Sequence, residues 1–341
     1  MARRILTLLT LSLVFSFSPL ILTAAEGEVV VYCGRSKNLV QPVVKLFEEA
    51  TSIRVRVRYG NTAQLAVTLL EEGKKSPADV YWAQDAGALG AVSRGGLFLD
   101  GLPNRLDPKV TKGIPRNLRS KTGQWVAISG RARVLAYAPK RVTAAELPAS
   151  VFDLVDSKWR GRVGWAPTNG SFQTFVTAMR VQVGDEKTLR WLVAMKNNDA
   201  KRYPKNTPII QALAASEIDV GLPNHYYLFR FKKKDPNFPV AQQFFANPGD
   251  AGNLINIAGV GVLKSSQRQK NAIRFVEFLL SAPAQKHFTQ EVSEYPMTNT
   301  AEPKSELVPL DELDRAAPRI DLDALTDLEG TLKLLQQAGL L

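Results

Sequence analysis

Apolar and polar positions follow two different periods along the chain, and each change of period predicts a new strand or helix. Residues 28–32 are dominated by β-branched side chains, and 39–50 follow with helical apolar spacing. Residues 53–59 then alternate strictly, which is typical of a strand with one wet face. A helix is predicted over 62–72 and a buried strand over 78–82. Strands that alternate with helices predict an α/β fold with a parallel sheet and crossover connections.

The later part of the chain predicts a second α/β unit between two long apolar strands, 128–137 and 255–264. The enclosed elements are strands at 162–165 and 218–222, and helices at 172–183, 186–196 and 208–216. Further helices are predicted at 267–281, 283–292 and 323–338. The simplest topology crosses from one lobe to the other near Arg131 and returns near Ile257, so two crossing strands form a hinge. We therefore expect lobe one at 26–131 plus 257–307, and lobe two at 132–256 plus 308–341.

Three polar segments follow the strands of the first lobe. They are 33–36, 60–61 and 83–85. Because sheets of this kind bind ligands at the carboxyl ends of their strands, these segments should face one cleft. Ser36, Gln84 and Asp85 are the side chains expected to contact a ligand there.

The first 25 residues have the pattern of a cleavable signal peptide. Arg3 and Arg4 precede a run without charges over residues 5–22, and small residues follow at 23–25. The long apolar run leaves an uncleaved anchor as the alternative. Because no cysteine lies near this junction, we expect no lipid anchor and a location free in the periplasm.

Composition narrows the function further. The formal net charge is +12, yet basic residues are scattered apart from one dense run at 230–234, so no nucleic-acid partner is expected. The single Cys33 excludes an internal disulfide and lies in an apolar strand pattern. No activated nucleophile can be recognised, and neither histidine lies in a triad motif, so the protein is not expected to be an enzyme.

The most specific local feature is a tyrosine pair, Tyr226 and Tyr227, which follows a predicted strand end. Phenolate oxygen is a hard anionic donor that suits a trivalent cation such as Fe(III). Neighbouring side chains on a strand point to opposite faces, so two adjacent tyrosines can share one ion only on a loop or at a helix start. Taken alone, such a pair more often serves packing.

Two polar turns precede predicted helices in the second lobe. Residues 167–171 read Pro-Thr-Asn-Gly-Ser, and 203–208 contain Asn206. Backbone N–H groups and short hydroxyls at a helix start can bind an anion, although plain N-capping by Asn169 or Ser171 explains the first turn equally well. Fe(III) prefers about six ligands, which leaves room for a bound anion beside two tyrosines, and Arg35 and Arg131 could neutralise it.

The order of these segments resembles the bacterial periplasmic ferric-ion-binding proteins, which are receptors of iron ABC transporters. The matching pieces span the mature chain: 31–36, 78–82, 129–134, 167–170, 203–206, 224–227 and 294–296. The resemblance implies a two-lobed type II periplasmic-binding-protein fold, a ferric ion held with a synergistic anion (carbonate or phosphate), and a monomer that delivers iron to an inner-membrane ABC permease. It implies Tyr226 and Tyr227 as metal ligands. Anion contacts would come from Arg35, Arg131, Thr168, Asn169, Gly170, Ser171, Asn206 and Asn224.

The chain departs from the family pattern mainly in lobe one. Ser36 stands where some members have a histidine or tyrosine ligand, and Ala83 stands where some have a glutamate. We expect lobe one to give no protein ligand, while Asp85 as a direct ligand stays open. His225 is expected to pack or cap. The alternative function is a receptor of the same fold for an anionic organic solute such as a phosphonate, without metal.

Overall fold

The computed structural model describes residues 27–111 and 120–341, so the predicted signal peptide lies outside the described residues. The strands are β1 Glu28–Cys33, β2 Arg54–Tyr59, β3 Val80–Ala83, β4 Val126–Ala132, β5 Leu135–Tyr137, β6 Val163–Trp165, β7 Lys201–Arg202, β8 Val220–Gly221, β9 Ala241–Gln243, β10 Ile255–Val262 and β11 Tyr295–Pro296. The helices are α1 Lys37–Thr51, α2 Thr62–Glu72, α3 Ala86–Arg94, α4 Leu102–Arg105, α5 Pro108–Thr111, α6 Gly170–Val183, α7 Asp185–Asn197, α8 Asn206–Ala214, α9 Tyr226–Lys232, α10 Gln269–Leu280, α11 Ala282–Lys286, α12 Leu310–Ala316 and α13 Leu328–Gln337. Within these two ranges, no helix has the length and apolar character needed to cross a bilayer.

Six strands form the first sheet, in the order β11-β4-β10-β3-β1-β2. The predicted parallel core is present, because β1 pairs in parallel with both β2 and β3. The sheet is mixed, however, since β10 runs antiparallel to β3 and β4. β1 and β3 are buried almost throughout, whereas β2 alternates between exposed and half-buried positions at the sheet edge. We call this sheet and the helices packed on it the first lobe.

Five strands form the second sheet, in the order β7-β6-β8-β5-β9. β6 is parallel to β7 and β8, and β5 is antiparallel to β8 and β9. We call this sheet and its helices the second lobe. Each lobe has its own aromatic packing: Phe47, Trp82 and Phe275 in the first, and Trp165, Phe172 and Trp191 in the second. The two-lobed α/β fold predicted from the sequence is therefore confirmed.

The chain crosses between the sheets at two places. The long strand predicted over 128–137 is two strands, because β4 belongs to the first sheet and β5 to the second. The break falls at Arg133 and Val134, whose backbone N–H groups donate to Leu254 and Pro223 respectively. The return lies between β9 and β10. The alternation of side chains continues through the break, which is why the sequence pattern alone did not show it.

The C-terminal segment touches both lobes. The Asp323 carboxylate accepts hydrogen bonds from the Trp125 indole and the Lys121 backbone, both 2.8 Å away, on the first-lobe side. Helix α13 then packs on α6 of the second lobe, where the Thr331 and Thr177 hydroxyls lie 2.8 Å apart. The helix predicted from residue 323 begins only at Leu328, because Asp327 caps it by accepting from Gly330 N.

A candidate metal and anion site between the lobes

Tyr226 and Tyr227 open helix α9, directly after the β8 strand end. The helical backbone places their side chains next to each other, with ring centroids 4.4 Å apart and planes 28° from parallel. Tyr226 is buried at 4% exposure, and Tyr227 is half-buried. The helix start therefore gives the side-by-side arrangement that a shared ion requires and that a strand would not allow.

The surroundings of the pair decide the protonation of its phenols. Burial raises the pKa of Tyr226, and the neighbouring Tyr227 raises it further, while Arg131 opposes both effects. Without a cation at the pair, Tyr226 is thus a neutral phenol at ordinary pH. The Arg230 guanidinium lies 5.0 Å from the Tyr226 ring centroid and 5.1 Å from that of Tyr227. A cation over both rings favours charge on the phenolates once a metal displaces their protons.

A buried ion pair lies beside the tyrosines. Arg35 Nη2 is 2.9 Å from Glu294 Oε1, and both side chains are almost completely buried. Ser129 donates its hydroxyl to the other oxygen of Glu294. Burial would raise the pKa of Glu294, but Arg35, Arg131 and the Ser129 hydrogen bond together outweigh this effect, and the pKa lies below its usual value. Arg35, expected to face an anion, is therefore already paired with a carboxylate.

Two more buried arginines lie where the chain passes from β4 to β5: Arg131 near the end of β4, and Arg133 just after it. Arg131 donates to the carbonyls of Gln84 and Ile257, and Arg133 donates to those of Leu222 and Ser171. Burial lowers the pKa of Arg131, and the nearby Arg35 lowers it further. The Nε atoms of Arg35 and Arg131 are buried without a hydrogen-bond partner. Three buried arginines, Arg35, Arg131 and Arg133, thus interact electrostatically with Tyr226, and two of their Nε–H groups have no hydrogen-bond acceptor.

The predicted anion turn lies at the start of α6. Asn169 is the N-cap and accepts hydrogen bonds from the Ser171 backbone at 3.1 Å and the Ser171 hydroxyl at 2.7 Å. Thr168 and Gly170 are exposed beside it. Asn206 begins α8 at 1% exposure, with its Nδ2 3.5 Å from Ser171 Oγ and its Oδ1 without a partner. Asn169 therefore caps α6, while the exposed residues of the same turn remain accessible to an anion.

The remaining predicted contacts are less available to a ligand. Ser36 is the exposed N-cap of α1, and Asn224 is buried in a backbone bridge with Arg133. Gln84 offers its carbonyl to Arg131, and Asp85 caps α3 by accepting from Ala88 N at 2.9 Å. The structure brings Gln84, Asp85, Arg131 and the anion turn around one cavity of about 480 Å³.

His225 is packed into the hinge. Its Nδ1 accepts from the Ala132 backbone N–H at 3.0 Å, and its Nε2 lies 2.8 Å from the Ser293 carbonyl. Burial lowers its pKa to about 4, so the ring is neutral at ordinary pH. These contacts agree with the packing role predicted from the sequence.

Three residues of the site escaped the sequence prediction: Arg133, Arg230 and Glu294. A signal existed for Arg133, which lies two positions after Arg131 in an otherwise apolar strand and so shares its face. Glu294 belongs to a segment that matches the resemblance. No local pattern links it to Arg35, because 259 residues separate them.

Comparison with known proteins places the chain in a class. Residues 75–317 match the model of the bacterial extracellular solute-binding proteins, and the chain belongs to that family.

Particular relatives are similar over nearly the whole length. The chain is 35% identical to the major ferric iron-binding protein of Neisseria meningitidis serogroup A over 93% of this chain and 95% of that protein. It is 32% identical to the Fe(3+)-binding periplasmic protein of Serratia marcescens, over 98% of this chain and 96% of that one. The crystal structure of iron-bound HitA from Pseudomonas aeruginosa matches with a TM-score of 0.82 and 32% identity, covering 92% and 99% of the two chains.

Proposed function

We propose that this protein is a periplasmic receptor that captures Fe(III) together with a synergistic anion and delivers it to an ABC permease of the inner membrane. Its role is binding and transport rather than catalysis. Similarity over nearly the full chain to proteins named for ferric iron supports the cargo. It also favours iron over the metal-free receptor for an organic anion.

One observation carries the assignment to residues: Tyr226 and Tyr227 lie side by side at a helix start, with their ring centroids 4.4 Å apart. Two phenolates and Fe(III) together carry a net charge of +1, so a further anion can be accommodated. Fe(III) must displace the phenol protons, and the buried arginines help because they favour the charged form of both tyrosines. Tyr226 and Tyr227 are the proposed metal ligands.

The anion completes the coordination of the metal from the α6 turn. Thr168, Asn169, Gly170 and Ser171 supply a helix start with exposed positions, and Asn206 and Asn224 flank it. A helix N-terminus attracts negative charge, and Arg131, which lines the same cavity as the turn, adds a full positive charge. The proposed anion is carbonate or phosphate. Arg35 acts at longer range, since Glu294 holds it in place.

Capture requires closure of the lobes around the ion. We propose the lobe boundaries 26–131 plus 257–307 and 132–256 plus 308–341, with residues 321–327 of the second set reaching across to α3. Closure is a population shift, driven by contacts between the bound anion and first-lobe groups that exist only in the closed form. The receptor is proposed to act as a monomer.

A ferric titration of the metal-free protein tests this function. Adding ferric ion with carbonate should produce a visible tyrosinate-to-iron charge-transfer band that saturates at one ion per chain. The variants Tyr226→Phe and Tyr227→Phe should each weaken and shift this band, and the double variant should abolish it. An uncoloured ferric complex, or a band that survives in the double variant, would contradict the proposal.

A further inference from the structure

The C-terminal segment 321–341, which we call the strap, is attached to both lobes. Its first part contains the short helix Leu322–Ala324 and lies on α3 of the first lobe. Its second part is α13, which packs on α6 and α7 of the second lobe, with Leu335 completely buried. The strap therefore connects the lobes at a place additional to the two strand crossings.

The strap passes from one lobe to the other within a single peptide bond. Thr326 is held by the first lobe, because Arg94 of α3 donates to its carbonyl at 3.5 Å. Asp327 is held by the second lobe, because Arg180 of α6 donates to its carbonyl at 2.9 Å and to its carboxylate at 2.8 Å. Consecutive Cα atoms are only about 3.8 Å apart. The junction between the two anchors thus has no slack.

The first-lobe anchor is closely packed as well as hydrogen-bonded. A Cβ on Gly87 would lie 2.3 Å from the Leu325 carbonyl oxygen, and one on Gly90 would lie 2.2 Å from a methyl carbon of Thr326. Leu325 itself is 2% exposed. Glycine at these two positions of α3 is what lets the strap approach so closely, so this end of the strap is fixed to the first lobe.

The strap is anchored far from the strand crossings. The two crossings are joined to each other, since the Arg133 backbone N–H donates to the Leu254 carbonyl at 2.9 Å, and they act as one pivot. Asp323 of the strap accepts from the Trp125 indole, which stands at the opposite end of β4. A strand rises about 3.3 Å per residue, so the eight residues from Trp125 to Arg133 span about 25 Å. Two bodies joined at two separate points can turn only about the line through those points.

The strap joins the two helices whose starts line the cavity. Helix α3 begins after Asp85, and α6 begins in the anion turn at Gly170. Leu325 and Thr326 of the strap line the same cavity. The length of the strap junction therefore limits how far these two helix starts can move apart.

We propose that the strap is a second pivot between the lobes, which fixes the axis of opening, limits its extent and so slows the release of captured iron. The effect on iron rests on the proposed ferric function, whereas the mechanical role does not. Restraining the open form lowers its conformational entropy, and this shifts the population toward the closed form.

An insertion of Gly-Gly between Thr326 and Asp327 tests the inference, because it adds slack and keeps every anchoring side chain. The junction grows from two residues to four, and each doubling of a flexible tether weakens its closure by about threefold. Loss of the ferric charge-transfer band to excess EDTA, with carbonate present, should therefore be about threefold faster. The matched control is the same insertion between the exposed Lys74 and Lys75 after α2, which should leave the rate unchanged.

Distances between spin labels measure the opening without iron. Lys45→Cys on α1 and Gln211→Cys on α8 place one label on an exposed position of each lobe. Burial raises the pKa of the native Cys33 to about 12, so this thiol stays unlabelled. In the metal-free protein, the strap insertion should broaden the distance distribution measured by pulsed EPR, and the control insertion should not. The ferric-loaded proteins should share one distribution.

The variant Asp323→Ala provides a second test, in case the insertion prevents folding. It removes the acceptor of the Trp125 indole and the Lys121 backbone, and so loosens the first-lobe anchor without lengthening the chain. It should change the release rate and the distance distribution in the same direction as the insertion.

Each other outcome has a distinct meaning. A distance distribution that neither strap variant broadens overturns the inference and leaves the ferric function intact. Slower iron release in the strap variants also overturns it, because the strap would then hold the lobes apart. A broadened distribution in a protein whose wild type binds no ferric ion supports the second pivot and refutes the proposed function.

Discussion

The two lobes differ in how far their polar side chains near the site are already paired within the protein. In the first lobe, charged groups near the cavity are already engaged: Arg35 with Glu294 and Asp85 with the start of α3. In the second lobe, Tyr226 and Tyr227 lie together, and Asn206 Oδ1 has no partner. The second lobe thus presents oxygen donors for a ligand. The first lobe contributes charged groups that already have partners, together with residues that line the cavity.

This difference suggests an order of events. A cation can bind first to the tyrosine pair, since that lobe alone supplies the phenol oxygens. The anion and the first lobe then follow, and the closed form becomes the favoured state. Because Arg35 is paired with Glu294 and Asp85 caps α3, these two first-lobe charges are engaged before any ligand binds. Four predictions test the comparison.

The largest expected effect is on iron binding. The double variant Tyr226→Phe/Tyr227→Phe should lose measurable ferric affinity, and each single variant should weaken it by more than about 100-fold, beyond what loss of an outer-shell partner costs. The matched first-lobe variant Asp85→Asn keeps a good N-cap and removes the charge. It should change the affinity by less than about threefold in a competition titration. A strong loss in Asp85→Asn would make the first lobe a ligand donor.

The second prediction concerns stability. Glu294→Gln leaves Arg35 buried without its counter-ion, so the free energy of unfolding should fall by about 3–5 kcal/mol. Chemical denaturation of the metal-free protein measures this. A loss below about 1 kcal/mol would show that Arg35 finds another partner and that the first-lobe pair is not a fixed element.

The third prediction applies the same change to the second lobe. The Asp219 side chain is 2% exposed, but its partners Arg141 and Arg162 are 47% and 39% exposed. Because water screens these partners, Asp219→Asn should cost only about 1–3 kcal/mol.

The pH dependence of that cost follows from the carboxyl pKa. Burial would raise the pKa of Asp219, but the two arginines outweigh it and hold the pKa below its usual value. Its contribution is therefore complete above the unfolded-state pKa near about 4, and is lost as the pH falls through the folded value. The stability difference between the wild type and Asp219→Asn should shrink below about pH 4. A difference that grows with acidity would refute this.

The smallest expected effect is at the anion turn. Ser171→Ala removes a hydroxyl that donates to Asn169 at 2.7 Å and lies near Asn206. Loss of one such hydrogen bond is worth about 1 kcal/mol, or roughly fivefold in ferric affinity when an anion is present. An unchanged ferric affinity would place the anion elsewhere.

Much of the fold could be predicted, because each lobe follows a simple periodicity. The helix 62–72 was predicted with its observed bounds, and most strands lie within a few residues of theirs. The long strand 128–137 was wrong in one respect, because its side chains alternate across the point where the backbone changes sheets. The first sheet was expected to be parallel, whereas β10 and β11 are antiparallel, since their pairing depends on contacts distant in sequence.

The candidate site divides in the same way. The tyrosine pair and the α6 turn could be identified because each lies within a few consecutive residues. The pairing of Arg35 with Glu294 could not, since 259 residues separate the two partners. Local sequence spacing predicts where ligand-binding side chains lie, but it does not predict which of them are already paired with distant residues in the folded protein.

A crystal structure of the ferric-loaded protein tests the central claim most directly. The account predicts one iron bound by the phenolate oxygens of both Tyr226 and Tyr227, an anion between the metal and the α6 turn, and no protein ligand from the first lobe. An iron held by Asp85 or Glu294, or one that lies away from the tyrosine pair, would contradict it.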